Sequence, residues 1–342
     1  MKELRYFFTV IIIFVSCSVF ASNAKDPLPS WNNSTSKQRI IKFVESVTNI
    51  KSQSYVPKAE RIATFDNDGT LWVEKPMYPQ ILFSLDRMRE LADLHPDWQT
   101  NQPYKDILTG EYKNILSNNA EIMFQESVKD MSPEGYKSIA YNWITENKNP
   151  RFNKAHIELI YQPMLEVMDY LRANGFSVYI VSGGIQDFIR AYALQAYKVP
   201  DEKVVGAVFD TNYKVTKDNE PYLVYENKFL IRCNYEGKPE AIHMFIGKKP
   251  IIAFGNSNGD KAMLDWTQSN DQKALMLLVH HDDAKREFAY DVNSKVGTFP
   301  KSLFDHAEKN NWQIISMKDD WKVVFPFELK KMNKKLLEAQ HE

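Results

Sequence analysis

Asp66 and Asp68 leave the apolar run Ile62-Ala63-Thr64-Phe65 one residue apart and are followed at once by Gly69-Thr70. A turn would account for these residue types, since Asp, Asn and Gly are common turn formers. Two carboxylates at a strand exit also have a chemical use: one can attack while the other handles protons. Three later stretches offer what such a pair lacks. Ser182-Gly183-Gly184 follows the strand-like run 176–181, and Gly237-Lys238-Pro239 precedes a helical pattern. Gly255-Asn256-Ser257-Asn258-Gly259-Asp260 follows the run 250–254. Each alone reads as a turn or a surface lysine. Together they suit phosphoryl transfer, which needs a nucleophile, a proton donor for the leaving oxygen, and positive charge around the equatorial oxygens. Asp66 fits the first role and Asp68 the second. Ser182, with the amide of Gly183 at a helix start, offers an anion corner. Lys238 offers a point charge to phosphate and to Asp66. Asn256 and Asp260 supply oxygens suited to a hard cation such as Mg²⁺.

These stretches need elements that bring them to one edge. Short β-branched strands are predicted at 62–65, 176–181, 204–209, 250–254, 274–280 and 312–317, with helices at 163–174 and 185–197. Strands alternating with helices imply an α/β fold, doubly wound around a mainly parallel sheet covered on both faces. Ligands then bind outside the carboxyl ends of the strands. The segment 210–233 alternates like a β-hairpin. Ser36 opens an amphipathic helix carrying Ile40, Ile41, Val44 and Val47. Between positions 75 and 162 only helix-type periodicity is found, broken at Pro96, Pro103, Pro133 and Pro150, so this interval is expected to be a helical block of its own. The core then comprises 25–74 and 163–326, with residues 25–35 as a polar linker and 327–342 as a basic tail. Trp72, Trp98, Tyr104, Tyr112 and Trp143 could line a pocket in the helical block; the expectation is that they form its core. His280 and His281, at a strand end, are expected to be structural or solvated.

The totals narrow the partners. A net charge of −1 over 342 residues carries no basic footprint for nucleic acid. Two cysteines, Cys17 and Cys233, exclude a thiolate metal cluster and a disulfide scaffold. Lys2 and Arg5 flank the apolar stretch 6–15, and small residues follow, the layout of a secretory signal. That stretch is shorter than the ~20 residues of a spanning helix. Residues 1–24 are therefore expected to be a signal peptide, leaving an exported, periplasmic protein with no stable membrane span. The alternative is a lipoprotein attached through Cys17. Cys233 is expected to serve packing.

With these residues placed, the chain resembles the haloacid dehalogenase superfamily of aspartate-nucleophile phosphohydrolases. Asp66, Asp68, Gly69, Thr70 and Leu71 match its first motif, Ser182 its second, Lys238 its third and residues 255–260 its fourth. The Ser-Gly-Gly and Gly-Lys-Pro forms resemble the phosphoserine-phosphatase-like branch. "FDNDGTLW-EKPM", "GFSVYIVSGG", "AFGNSNGD" and "SMKDDWKVVF" resemble a set of exported bacterial hydrolases, over residues 26 to 326. The resemblance implies a Rossmann-like core, an inserted all-helical cap between the first and second motifs, and Mg²⁺ held by Asp66, the backbone carbonyl of Asp68 and the fourth motif. The activity implied is a Mg²⁺-dependent phosphatase that forms an aspartyl-phosphate on a small phosphomonoester. The alternative is a weakly active or non-catalytic phosphate-binding protein of the same fold. One position departs from the pattern: Asn256 stands where the fourth motif usually has aspartate. Either Asn256 or Asp260 is then the direct ligand, with Asp260 carrying most of the charge. The natural substrate and the oligomeric state are not set by the sequence.

Overall fold

The computed structural model of the chain describes residues 26–115 and 119–329. The export-signal segment with Cys17 and nearly all of the basic tail lie outside the described residues. Along the chain, α1 (Thr35–Thr48) leads to β1 (Ile62–Phe65). Then come α2 (Pro79–Ala92), α3 (Tyr104–Thr109), α4 (Tyr112–Asn114), α5 (Ala120–Val128) and α6 (Pro133–Glu146). The small strands β2 (Lys148–Asn149) and β3 (Lys154–Ala155) close this interval, before α7 (Gln162–Ala173), β4 (Ser177–Ile185) and α8 (Gln186–Tyr197). Next are β5 (Val204–Val215), β6 (Pro221–Ile231), α9 (Gly237–Phe245) and β7 (Ile252–Gly255). Last are α10 (Lys261–Gln268), β8 (Leu275–His280), α11 (Lys301–Lys309), β9 (Gln313–Ser316) and α12 (Met317–Asp320).

Seven strands form one sheet in the order β6-β5-β4-β1-β7-β8-β9, and only the β5–β6 pair is antiparallel. β1 is central and buried at all four residues, so it reads as an unbroken apolar run rather than an alternating one. Phe65 stacks on Phe254 of β7 with ring centroids 4.4 Å apart. From β1 the chain goes to β4 on one side and later returns to β7 on the other. This reversal opens a crevice at the carboxyl end of β1, where ligands bind in such sheets.

The expected hairpin is β5–β6. Gly175 ends α7 with φ +78°, a conformation that costs a glycine little. α1 is capped by Ser34, whose hydroxyl accepts from the amide of Lys37, so the helix starts a residue earlier than expected.

Two expectations are corrected. Residues 25–35 are not a free linker: Leu28 and Trp31 are buried, and the Trp31 indole donates to the Pro163 carbonyl at 3.0 Å. Asn32 N–H donates to the Asp320 carbonyl and Lys322 N–H to the Ser30 carbonyl, each at 2.8 Å. Two apolar residues in a polar run make no period, so sequence pattern could not find them. The interval 75–162 also holds a β-element. β2 and β3 pair antiparallel over two residues each, too short to show alternation.

Among the described residues, α2, α3 and α5 have a core of their own around Met77, Ile81, Leu85, Met88, Trp98, Ile107 and Met123. Phe83, Tyr136 and Ile144 belong instead to the main core, through contacts such as Phe83 on Phe188 at 5.4 Å. Among the described residues no helix is long and apolar enough to cross a membrane.

Candidate active site

The four stretches singled out from the sequence meet at the carboxyl edge of the sheet. Asp66 directly follows β1. Its Oδ1 accepts from Lys238 Nζ at 2.5 Å, and its Oδ2 lies 3.3 Å from Thr70 Oγ1. Lys238 comes from the first turn of α9 and is only 2% exposed. It also donates to Asp260 Oδ1 at 2.6 Å and to the Val181 carbonyl at 3.0 Å. Gly237 allows this placement, because a Cβ there would sit 1.9 Å from the Arg232 carbonyl oxygen. Burial and the neighbouring Asp260 push the Asp66 carboxyl up to about 7, against the pull of Lys238. The two carboxylates outweigh burial at Lys238 and hold its ammonium above its ordinary range, so it stays charged.

Asp68 is partly exposed, facing the cavity, and its Oδ1 accepts from the Trp72 indole at 2.8 Å. Burial raises this carboxyl, and the Trp72 hydrogen bond opposes the rise. A carboxyl raised toward the working pH is better suited to giving up and regaining a proton. Trp72 in turn stacks on Tyr192 at 4.7 Å, so the aromatic core fixes the group that would move protons.

Ser182 lies within β4 and is buried; its Oγ accepts from the Gly184 amide at 3.2 Å. β4 runs on to Ile185, so Gly183 and Gly184 finish the strand and do not open α8, as the sequence had suggested. Gln80 of α2 takes the first place at that helix, its Oε1 accepting from Ile185 N–H at 2.9 Å.

The fourth stretch is a tight loop around Asp260. Its Oδ2 accepts from the amides of Asn256 (2.9 Å) and Ser257 (3.0 Å), while Oδ1 holds Lys238. Both oxygens are engaged. In this arrangement Asp260 anchors the loop and Lys238, while Asn256 and Asp260 both remain within the candidate cation site. Asn256 is the inward-facing member: its Oδ1 lies 3.3 Å from the same Thr70 hydroxyl that approaches Asp66.

These groups face a cavity of about 230 Å³ lined by Asp66, Asp68, Ser182, Gly183, Lys238 and Asp260, with Tyr78, Ile81 and Phe124 opposite. Asn256 is buried and donates to Glu74, which also lines the cavity. Among the described residues no three His, Cys, Asp or Glu side chains are grouped closely enough to hold a metal between them. The Asp66 carboxylate and the Asn256 amide oxygen nevertheless converge on one hydroxyl, a hard-oxygen set. Mg²⁺ keeps several waters and takes only one or two carboxylates. The donor set therefore fits Mg²⁺ and not a soft metal.

Sequence reasoning gave no role to Glu74, a buried carboxylate that also lines the cavity. It stands four residues after Thr70 in a loop without period, and only its place within "FDNDGTLW-EKPM" marked it. Trp72, expected in the core of the helical block, is buried in the main core and supports Asp68 from there. Trp98 stacks on Tyr104 at 4.8 Å, and Trp143 on His156 at 5.0 Å; neither tryptophan lines the cavity. The Tyr112 side chain lies outside what is described. His281 is buried, its Nε2 donating to the Gly69 carbonyl at 2.7 Å, and so supports the nucleophile loop from behind. Cys233 is buried with its thiol pushed up to about 12 by desolvation, and so serves packing.

A parallel sheet whose central strand ends in Asp-x-Asp, faced by serine, lysine and an acidic loop from neighbouring elements, defines an aspartate-centred hydrolase site. The family model of haloacid dehalogenase-like hydrolases matches residues 63–265, and the chain belongs to that family. Among solved structures it is similar to a conserved functionally unknown protein from Anaerococcus prevotii DSM 20548. That match is 17% identical, covers 85% of this chain and 94% of the other, and has a TM-score of 0.54. It is also similar to a protein of unknown function from Bordetella pertussis Tohama I: 15% identical, 75% and 98% covered, TM-score 0.46. A phosphoserine phosphohydrolase-like protein from Francisella tularensis is 14% identical, with 66% and 90% covered and a TM-score of 0.38. A search of curated proteins gave no match.

Proposed function

We propose that the protein is a Mg²⁺-dependent phosphomonoesterase acting through an aspartyl-phosphate on a small phosphorylated metabolite. The observation that supports this most is the meeting of Asp66, Asp68, Ser182 and Lys238 around one cavity. An Asp66 oxygen attacks phosphorus while the bond from phosphorus to the ester oxygen breaks. Asp68 gives its proton to that leaving oxygen. Water then attacks the same phosphorus, Asp68 takes the proton back, and the bond to Asp66 breaks to release inorganic phosphate. Lys238 and Ser182 hold the phosphoryl oxygens throughout, and Lys238 keeps two carboxylates from repelling the incoming anion. Asp66, the Asp68 carbonyl and Asn256 would hold Mg²⁺, which when bound offsets the phosphoryl charge.

The test is hydrolysis of p-nitrophenyl phosphate by the purified protein with Mg²⁺ and after chelation. Turnover that disappears with EDTA and returns with Mg²⁺ is expected. Binding of phosphate or vanadate without turnover would make it a phosphate-binding protein instead. We further propose export: the charged, apolar and small-residue order of the first 24 residues supports it, and mass spectrometry of the native protein should find a start near residues 22 to 25.

A further inference from the structure

Glu74 is 1% exposed, and both hydrogen bonds it receives fall on Oε1: from Asn256 Nδ2 at 2.8 Å and from the Tyr290 hydroxyl at 2.5 Å. Space for that oxygen is made by two glycines. A Cβ on Gly69 would lie 2.4 Å from Glu74 Oε1, and one on Gly297 would lie 1.8 Å from it. Among the described residues no Lys, Arg or His forms an ion pair with Glu74. Lys238 is taken by Asp66 and Asp260, and Lys75 bonds Ser294 and lies over the Tyr290 ring at 4.4 Å. A buried carboxylate without a cation costs several kcal/mol unless something offsets its charge.

One of these two donors is Asn256. A primary amide has a donor end and an acceptor end and can sit either way round. Glu74 Oε1 accepts from the NH₂ end at 2.8 Å and so holds that end toward itself. The amide oxygen is then turned the other way, toward Thr70 and Asp66. Donation of the N–H to a carboxylate also adds electron density to the amide oxygen, since linked hydrogen bonds polarise one another.

We infer that Glu74 and Asn256 act as one unit at the cation site: Glu74 holds the NH₂ end of the amide and so fixes the amide oxygen in the direction in which it would meet Mg²⁺. This rests on the metal-dependent reading above. Glu74 is thus a positioning residue. The unit also changes what Asn256→Asp should do. A new carboxyl would face Glu74 across 2.8 Å in a buried place, with the donating amide N–H gone from between them.

The experiment is calorimetric titration of the full chain with MgCl₂ alone, for wild type, Glu74→Gln and the exchange variant Glu74→Gln/Asn256→Asp. Loss of a partner behind a metal ligand typically costs about 10–100-fold in metal affinity. That loss is expected for Glu74→Gln. The exchange variant, in which carboxylate and amide trade places, should recover most of it, which simple packing damage would not allow. Should Glu74→Gln fail to fold, Glu74→Asp keeps the carboxyl but shortens its reach, and is also expected to bind Mg²⁺ more weakly. Wild-type affinity in Glu74→Gln or Glu74→Asp, or no recovery on exchange, overturns the inference and leaves the phosphatase reading standing. If the wild type itself takes up no Mg²⁺, both fall.

Discussion

The two walls of the cavity are made of different matter. On the sheet side are Asp66, Asp68, Lys238 and Asp260, charged groups pinned by one another and by backbone donors. On the side of the inserted helices are Tyr78, Ile81, Ala120 and Phe124, all neutral. The first wall can make and break a bond but offers little to tell one phosphate ester from another. The second can do no proton or phosphoryl chemistry, and it is what a leaving group would meet. Reaction and choice of substrate are thus carried by different elements. Substitutions on the two walls should fail in different ways.

The largest separation comes from the nucleophile. Asp66→Asn should lower kcat by several orders of magnitude toward every substrate while circular dichroism stays native; turnover within tenfold of wild type would sink the covalent route. Asp68→Asn should cost about 10²–10⁴-fold. The loss should be greatest for alkyl phosphates, whose leaving oxygen needs a proton, and smaller for p-nitrophenyl phosphate. Equal losses on both would place the proton transfer elsewhere.

The third expectation concerns stability on the helical side. His156 is buried with Nε2 unpartnered, and desolvation lowers its imidazole to about 4. An unfolded histidine takes up a proton near 6.5. Between those values the unfolded state binds more protons, so stability falls as pH drops from 6.5 toward 4 and is complete above 6.5. By pH 5 the loss is about 2 kcal/mol. Urea unfolding of His156→Phe should show this part of the pH slope removed; an unchanged slope would mean that the ring is hydrated or paired in solution. The smallest effect is expected at Phe124. Phe124→Ala should shift KM by roughly tenfold or less between bulky and small esters, the scale of one apolar contact in a pocket, and leave kcat for small esters nearly intact. An equal fall in kcat for every ester would mean that the helical wall shapes the reaction itself.

The same contrast explains what could be read from the sequence. Asp66, Ser182 and Asn256 lie within or just after short buried runs, so each strand announced its own exit, and Lys238 followed a glycine before a helical period. The parallel order of the sheet followed from the alternation of elements. Glu74 had no such marker. Its burial depends on Tyr290, 216 positions away, and on space left by Gly69 and Gly297. The role of Trp72 depends in the same way on Tyr192 and Asp68. Groups set by local strand geometry were legible, and groups set by distant packing were not. The lining of the helical wall belongs to the second kind.

The pairing of Ser30 and Asn32 with Asp320 and Lys322 bears on how the chain is made. Trp31 stands edge-on to Trp321 at 6.1 Å, and Ser36 Oγ donates to Asp320 Oδ2 at 2.7 Å, so the first described segment and α1 complete their seat, begun on Pro163, with residues near the end. Synthesis runs from the amino end, and segments fold as they become available. The opening residues must therefore wait until almost all of the remainder has emerged. Closing so long a loop adds only a logarithmic entropy cost, but it makes this clasp a late step. A chain stopped before residue 316 would retain the motif loops yet leave Trp31 without the tryptophan it packs against.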